Sequence, residues 1–261
     1  MKTKLLDGRG AASRMLDRIS KRVDGRRPPL LVTIVIGRRP DSLLYVRLKE
    51  AAAARLGIRT EQIRLPSATA QHRLISIIKK LNRRPDVNGI LLQLPLPSHI
   101  ETEAVVNSID RHKDIDGLRS DSPFQPPFLL AMVHLLRLSG VRPTSVVILA
   151  APSPLRERLE KMLGRSSTVS TDSARHRIPS STKKVGAVIT FRGHGPRLTG
   201  RDITNNTVVI DGGIRRHEGQ TVGDASRSVL GVAKAMTPVP GGVGPLTIAY
   251  LLDNLTKGHK K

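Results

Sequence analysis

Tyr45 and Lys49 stand four residues apart in a stretch that reads as a helix from Ser42 to Leu56, so their side chains share one face. Buried, a phenol and an ammonium on one face can hold a ligand and exchange a proton with it. Exposed, they are an ordinary amphipathic contact, and the spacing alone leaves both readings open. Gly89-Ile-Leu-Leu-Gln-Leu-Pro-Leu-Pro97 reads as a buried strand that stops after Gln93, because its prolines cannot continue a central strand. It is either a plain strand terminus or an amide at the strand end where open α/β sheets hold ligands. Lys113-Asp-Ile-Asp-Gly117 puts two carboxylates ahead of a glycine, a turn signal without the further ligands that calcium needs, so no metal is expected. Thr237-Pro-Val-Pro-Gly-Gly-Val-Gly-Pro-Leu-Thr247 is permissive backbone leading into a last helix with Pro245 at its first position. It is a tight loop or a loop that lets a ligand approach closely.

The elements that must position these residues alternate. Apolar strand-like runs at Leu30–Ile36, Ile58–Leu65, Gly89–Leu94, Ser145–Ala150, Val185–Phe191 and Val208–Ile210 are separated by helical stretches, the pattern of parallel sheets covered by helices. The Ser42 helix is expected to take Ser42 as its N-cap and Gly57 as its left-handed C-terminal residue. The proline-rich Ser122–Pro127 is the linker candidate, and Ser180–Lys184 reads as a loop. At 261 residues, two lobes are expected rather than one core. The tail Lys257–Lys261 is expected to fray.

The chain has 44 Lys and Arg against 21 Asp and Glu, a net charge of +23, and therefore attracts polyanions. Nucleic acid is one such partner and a multiply anionic small ligand another. The basic residues are spread along the chain, and only five aromatics (Tyr45, Tyr250, Phe124, Phe128, Phe191) are available to stack on bases, which argues against a single-strand stacking platform. Without cysteine, disulfides, thiolate metal sites and cysteine nucleophiles are excluded. No run of about 18 apolar residues or signal-peptide core is present, so a soluble cytoplasmic protein is expected, with an organellar matrix as the alternative.

Taken together and in order, Pro40-Asp-Ser-Leu-Leu-Tyr-Val-Arg-Leu-Lys49, Leu92-Gln-Leu-Pro-Leu-Pro97, Lys113-Asp-Ile-Asp-Gly117 and Pro238–Thr247 resemble the methylenetetrahydrofolate dehydrogenase/cyclohydrolase family. The likeness runs from Leu6 to Leu255. It implies a folate and catalytic domain built on a parallel sheet and a Rossmann-like nucleotide-binding domain, with a cleft between them. Residues 1–121 and 237–261 are expected in the first domain and 122–236 in the second. By the same resemblance Lys49 is the acid/base of cyclohydrolysis, Gln93 orients it, Tyr45 lines the pterin, and Asp116 accepts hydrogen bonds from the pterin's amino edge. Leu94, Pro95, Pro240, Gly241 and Gly242 complete the substrate contacts. The implied reaction passes hydride to NADP, or to NAD, and then adds water to the methenyl bridge. The implied assembly is a homodimer acting on tetrahydrofolate one-carbon derivatives.

The nucleotide side departs from that pattern. After the Val146–Ile148 strand the family carries a Gly-Arg-Ser-like loop and a Val-Gly pair, where this chain reads Leu149-Ala-Ala-Pro-Ser-Pro-Leu-Arg156 without a glycine. Leu149, Ala150 and Ala151 fall at positions needing close backbone approach to a pyrophosphate. Ser153 and Pro154 read as a helix start. Ile214 matches a cofactor-contacting position, Asp172 falls where an acid would grip a ribose, and the segment opening the next helix is replaced by Gln125-Pro-Pro-Phe-Leu-Leu130. Three readings follow: a folate enzyme in which cyclohydrolysis is better supported than dehydrogenation, a folate binder without turnover, and a non-enzymatic basic scaffold that meets nucleic acid.

Overall fold

A computed structural model of the chain describes residues 2–23, 27–164, 167, 168, 178, 180–193 and 195–258. Its contacts divide the chain into two compact units, Met1–Ala12 with Phe128–Thr247 and Ser13–Pro127 with Ile248–Lys261.

The unit beginning at Ser13 is built on a three-stranded parallel sheet ordered β3 (Arg59–Leu65), β2 (Leu30–Ile36), β4 (Val87–Leu92). Every residue of β2 is buried, as a central parallel strand covered on both faces requires. Leu30, Val32, Ile34 and Ile36 alternate onto one face and meet Leu74, Ile78 and Leu81 of α3 (Gln71–Arg83), with Val105 and Val106 of α4 (Thr102–Asn107). The three α3 residues recur at the helical period. Removing the fully buried Ile78 side chain would cost about 2–5 kcal/mol.

The catalytic-looking helix is α2, Pro40–Arg55, and it starts two residues before the expected cap. Arg39 is its N-cap residue and Ser42 lies inside it, buried. Pro40 explains the difference, since its fixed φ suits a first helical position and its missing N–H would find no partner there. The helix ends as expected, with Gly57 at φ 68° and the Ile58 amide bonded to the Ala53 carbonyl at 3.0 Å.

The unit containing Phe128–Thr247 carries a six-stranded parallel sheet ordered β1 (Lys4–Leu5), β11 (Ala235–Met236), β8 (Val208–Asp211), β7 (Ala187–Thr190), β5 (Val146–Leu149), β6 (Ser167–Thr168). The strands β5, β7 and β8 are buried throughout. α5 (Pro127–Leu138) and α6 (Pro154–Leu163) connect into it, and β9 (Arg215–His217) and β10 (Gln220–Val222) form an antiparallel hairpin. Ser180–Lys184 is a 3₁₀ turn rather than a loop, tied down by the Thr182 hydroxyl donating to the Asp202 carbonyl at 2.6 Å. The last helix, α7, runs Val243–Gly258, so Pro245 is its third residue and not its first. A proline remains harmless there, because first-turn amides have no intrahelical acceptor. Lys257 and Gly258 close that helix, and the rest of the tail lies outside the described residues.

Candidate active site

α2 places Tyr45 one turn ahead of Lys49, and β4 delivers Gln93 one residue past its end. The Gln93 amide N–H donates to the Ile34 carbonyl at 3.0 Å, which holds that residue to the edge of the sheet. The Lys49 ammonium donates to Gln93 Oε1 at 3.2 Å, while Gln93 Nε2 donates to the Leu94 carbonyl at 2.8 Å. That second bond sets which end of the amide the lysine meets. Leu94 is half-buried and Pro95 exposed, joined by a cis peptide bond.

Enclosure lowers the pKa of Lys49 from the ordinary lysine value, and the nearby Asp116 carboxylate partly offsets this by pulling it up. Asp116 moves the other way. Burial raises it, Lys49 draws it back, and Asp114 pushes it up again. A lysine tuned downward beside a carboxylate tuned upward is a pair able to pass a proton nearer neutrality than either group in water.

The Lys113–Gly117 turn does more than present Asp116. The Lys113 ammonium donates to the carbonyls of Leu81, Asn82 and Arg84 at 3.1, 2.8 and 2.7 Å, capping the end of α3. Asp114, 1% exposed, accepts from the Leu118 and Arg119 amides at 3.1 and 2.9 Å. Gly117 sits at φ 60°, and a Cβ there would stand 2.6 Å from the Phe124 carbonyl oxygen. Asn254 of α7, missed in the sequence, donates from Nδ2 to the Ile115 and Gln125 carbonyls at 2.9 and 3.2 Å, which pins the peptide next to Asp116. The polar pair Asp253-Asn254 set among Leu251, Leu252 and Leu255 was the available signal.

Pro240, Gly241 and Gly242 belong to the other unit, with Pro240 exposed and both glycines buried. A cavity of about 730 Å³ there is lined by Asp211, Gln220, Thr237 and Pro240 among others. It does not include Lys49, so the chemistry rests on the side-chain cluster rather than on cavity size. Leu149 and Ala150 are buried at the end of β5, Ala151 is exposed, and Ile214 is 40% exposed after β8. Asp172 lies outside the described residues. Among the described residues no cluster of three or more His, Cys, Asp or Glu could hold a metal, and no helix is long and apolar enough to cross a membrane.

The β5–α6 loop is closed upon itself. Ser153 Oγ caps α6 by accepting from the Arg156 amide at 3.3 Å, Pro154 has no N–H to offer, and Glu157 brings negative charge to the first turn. The Arg156 guanidinium donates to the Ala150 carbonyl at 3.3 Å and to Glu160 at 2.8 Å. Leu155 is left as the remaining early amide of α6. This loop does not fit a pyrophosphate as a glycine cradle does.

A parallel sheet whose strand end carries Gln93, with Lys49 from α2 and Asp116 from a turn beside it, together with a second, six-stranded parallel sheet, defines a two-unit α/β protein with a proton-transfer cluster. Residues 6–116 match the model of the tetrahydrofolate dehydrogenase/cyclohydrolase catalytic domain, and residues 130–261 that of the same family's NAD(P)-binding domain. The chain is 35% identical to the bifunctional protein FolD of Streptococcus sanguinis, with 98% of each covered. The crystal structure of the bifunctional FolD dehydrogenase/cyclohydrolase of Campylobacter jejuni superimposes with a TM-score of 0.90 at 30% identity, covering 99% of each chain. The Trypanosoma brucei FolD, complexed with NADP and an inhibitor, gives 0.90 at 30% identity over 100% of this chain and 98% of its own. The chain belongs to the tetrahydrofolate dehydrogenase/cyclohydrolase family. The scaffold alternative finds no support in these comparisons.

Proposed function

We propose that the protein is a methenyltetrahydrofolate cyclohydrolase, with NADP-dependent methylenetetrahydrofolate dehydrogenase as its partner activity. The observation that carries the reading is Lys49, lowered in pKa by enclosure, hydrogen-bonded to Gln93 and facing Asp116. Neutral Lys49 takes a proton from the water that attacks the methenyl carbon. Its ammonium then returns that proton to the departing ring nitrogen as the carbon–nitrogen bond breaks, and the neutral lysine so regenerated takes the proton of the new hydroxyl and passes it to solvent, which leaves the formyl group. Gln93 holds Nζ in place. Asp116 grips the amino edge of the pterin and favours the lysine's charged form, and Tyr45 lines the pterin, with Leu94, Pro95 and Pro240–Gly242 as further substrate contacts.

NADP, or NAD, would accept the hydride in the dehydrogenase step, and the matched NAD(P)-binding domain supports that. Of this chain's residues Leu149, Ala150, Ala151 and Ile214 fall where the nucleotide is expected. The β5–α6 loop, closed by its own hydrogen bonds, lacks the glycine cradle for its pyrophosphate. That closed loop favours a second reading, in which cyclohydrolysis is the activity that turns over. We further infer a cytoplasmic homodimer acting on tetrahydrofolate one-carbon derivatives, a reading supported by family membership.

The test is loss of methenyltetrahydrofolate absorbance in the absence of nucleotide, with Lys49→Ala alongside. Loss above the buffer rate, abolished in the variant, supports the cyclohydrolase. Equal rates for wild type, variant and buffer overturn it.

A further inference from the structure

β5 lies between β6 and β7 in its sheet, so the strands that follow it are laid down on opposite sides. The loop leaving β5 therefore opens at the crevice where α/β sheets of this kind hold their ligands. Arg156 stands in the first turn of α6, directly after that loop. It is 7% exposed and is the one arginine buried among the described residues. Its guanidinium turns back to the loop, with Nη1 donating to the Ala150 carbonyl at 3.3 Å, while Nε donates to the carboxylate of Glu160, one turn further on, at 2.8 Å.

Nothing in the helix itself calls for an arginine at this position. A cation in a first turn faces the positive end of the helix dipole, and an arginine placed ahead of a glutamate is the less favourable order for a pair one turn apart. Burying the guanidinium adds a desolvation cost that only close pairing offsets. An arginine here works against α6 as a helix, and residues that break local rules gather at functional sites. What the position does suit is an anion lodged in the loop, because a guanidinium offers a planar fork of donors to carboxylate and phosphate alike. Glu160 is the anion it holds in this structure.

We propose that Arg156 is the phosphate-binding residue of the nucleotide site and that Glu160 holds it in reserve, as a latch that releases when NADP binds. This rests on the nucleotide reading above and names how a loop without glycines serves an NAD(P)-binding domain. With the latch closed, the Glu160 carboxylate takes a donor that a phosphate needs, and the guanidinium lies against the Ala150 carbonyl inside the loop. With it open, Arg156 supplies charge-assisted bonds that the loop backbone cannot. The Arg156 amide is committed to Ser153 Oγ, and Pro154 has no N–H. Affinity for the nucleotide is then reduced by the fraction of molecules in which the latch is open.

The experiment is calorimetric titration of NADP into the wild type, Glu160→Gln, Arg156→Gln and the double variant, with thermal unfolding recorded for each. Glu160→Gln is expected to bind NADP about five-fold more tightly than the wild type, and Arg156→Gln about five-fold more weakly. In the double variant the gain from Glu160→Gln disappears, because it acts through Arg156. A gain that persists there comes from the general loss of negative charge and overturns the latch. Nitrogen-15 NMR of the arginine Nε–H groups reads the same event in the unmutated protein, where the Arg156 signal should move as NADP is added. An unmoved signal at saturation, or equal affinities for wild type and Glu160→Gln, overturns the latch and leaves nucleotide binding standing. Absence of NADP binding in all four proteins overturns the nucleotide reading and the latch together, while the cyclohydrolase, assayed without nucleotide, stands apart from both.

Discussion

Lys49 and Gln93 come from different elements, a helix and a strand end, and meet through one hydrogen bond of 3.2 Å from Nζ to Oε1. Because the other end of the amide is committed to the Leu94 carbonyl, Gln93 presents an acceptor and not a donor to the lysine. Gln93→Leu keeps the bulk and removes that acceptor. Its kcat for methenyltetrahydrofolate hydrolysis is expected to fall about 10- to 100-fold, a part of what a positioned acid/base contributes. Steady-state rates with thermal unfolding measured in parallel check this. A full-rate variant would show that the amide does not position the lysine.

Asn254→Ala leaves the Ile115 and Gln125 carbonyls without their donor. Stranding a buried acceptor costs about 1–3 kcal/mol, and the Gln125 carbonyl is only part-buried, so a loss of roughly 1–4 kcal/mol is expected in urea denaturation. The released peptide neighbours Asp116, so the KM for folate should also rise. A stability loss with KM unchanged would confine Asn254 to the fold.

Asp211 is 2% exposed and accepts backbone amides of Gly213, Asp224 and Ala225 at 2.9, 3.1 and 2.8 Å. Burial is the main reason its pKa is pushed up to about 7, the backbone donors oppose it, and the Asp224 charge adds to it. The folded state therefore holds a proton that the unfolded chain has released between pH 3.8 and about 7. Stability linked to this group falls as pH rises through that window, by at most about 1.4 kcal/mol per unit, and is level above it. Denaturant midpoints across the window, compared with Asp211→Asn, isolate the slope. Identical slopes in the two proteins would remove Asp211 as its source.

The β5–α6 loop should respond to restored backbone access. Ala150→Gly with Ala151→Gly clears two methyl groups, and Pro154→Ala returns an amide to the start of α6. Calorimetry should find tighter NADP binding in the triple variant than in the wild type, by about ten-fold. Unchanged affinity would mean that this loop does not limit the nucleotide.

Much of this was legible because long elements carry periodic patterns. β2 and β4 were readable as apolar runs and α2 as a helix ending at Gly57, and Tyr45, Lys49, Gln93 and Asp116 sat in motifs whose order matched a family. Short elements carry no period. β1 is two residues, with Leu5 54% exposed, and is a strand only because it pairs with Ala235 and Met236. Pro40 outweighed Ser42 in starting α2, since a fixed φ competes with a capping hydroxyl and both lie within two residues. Asp114 does bond within its own turn, to the Leu118 and Arg119 amides, whereas the partners of Lys113 at Leu81, Asn82 and Arg84 are set by tertiary packing that local sequence does not encode.

The most direct test of the central claim is to titrate Lys49 itself, by NMR of carbon-13-labelled lysine assigned with Lys49→Ala, beside the pH dependence of kcat for methenyltetrahydrofolate hydrolysis. Lys49 is expected to lose its proton below the ordinary value of 10.5, apart from the surface lysines, with the rate following the same transition. A Lys49 that titrates with the surface lysines, while the rate passes through an unrelated transition, would contradict it.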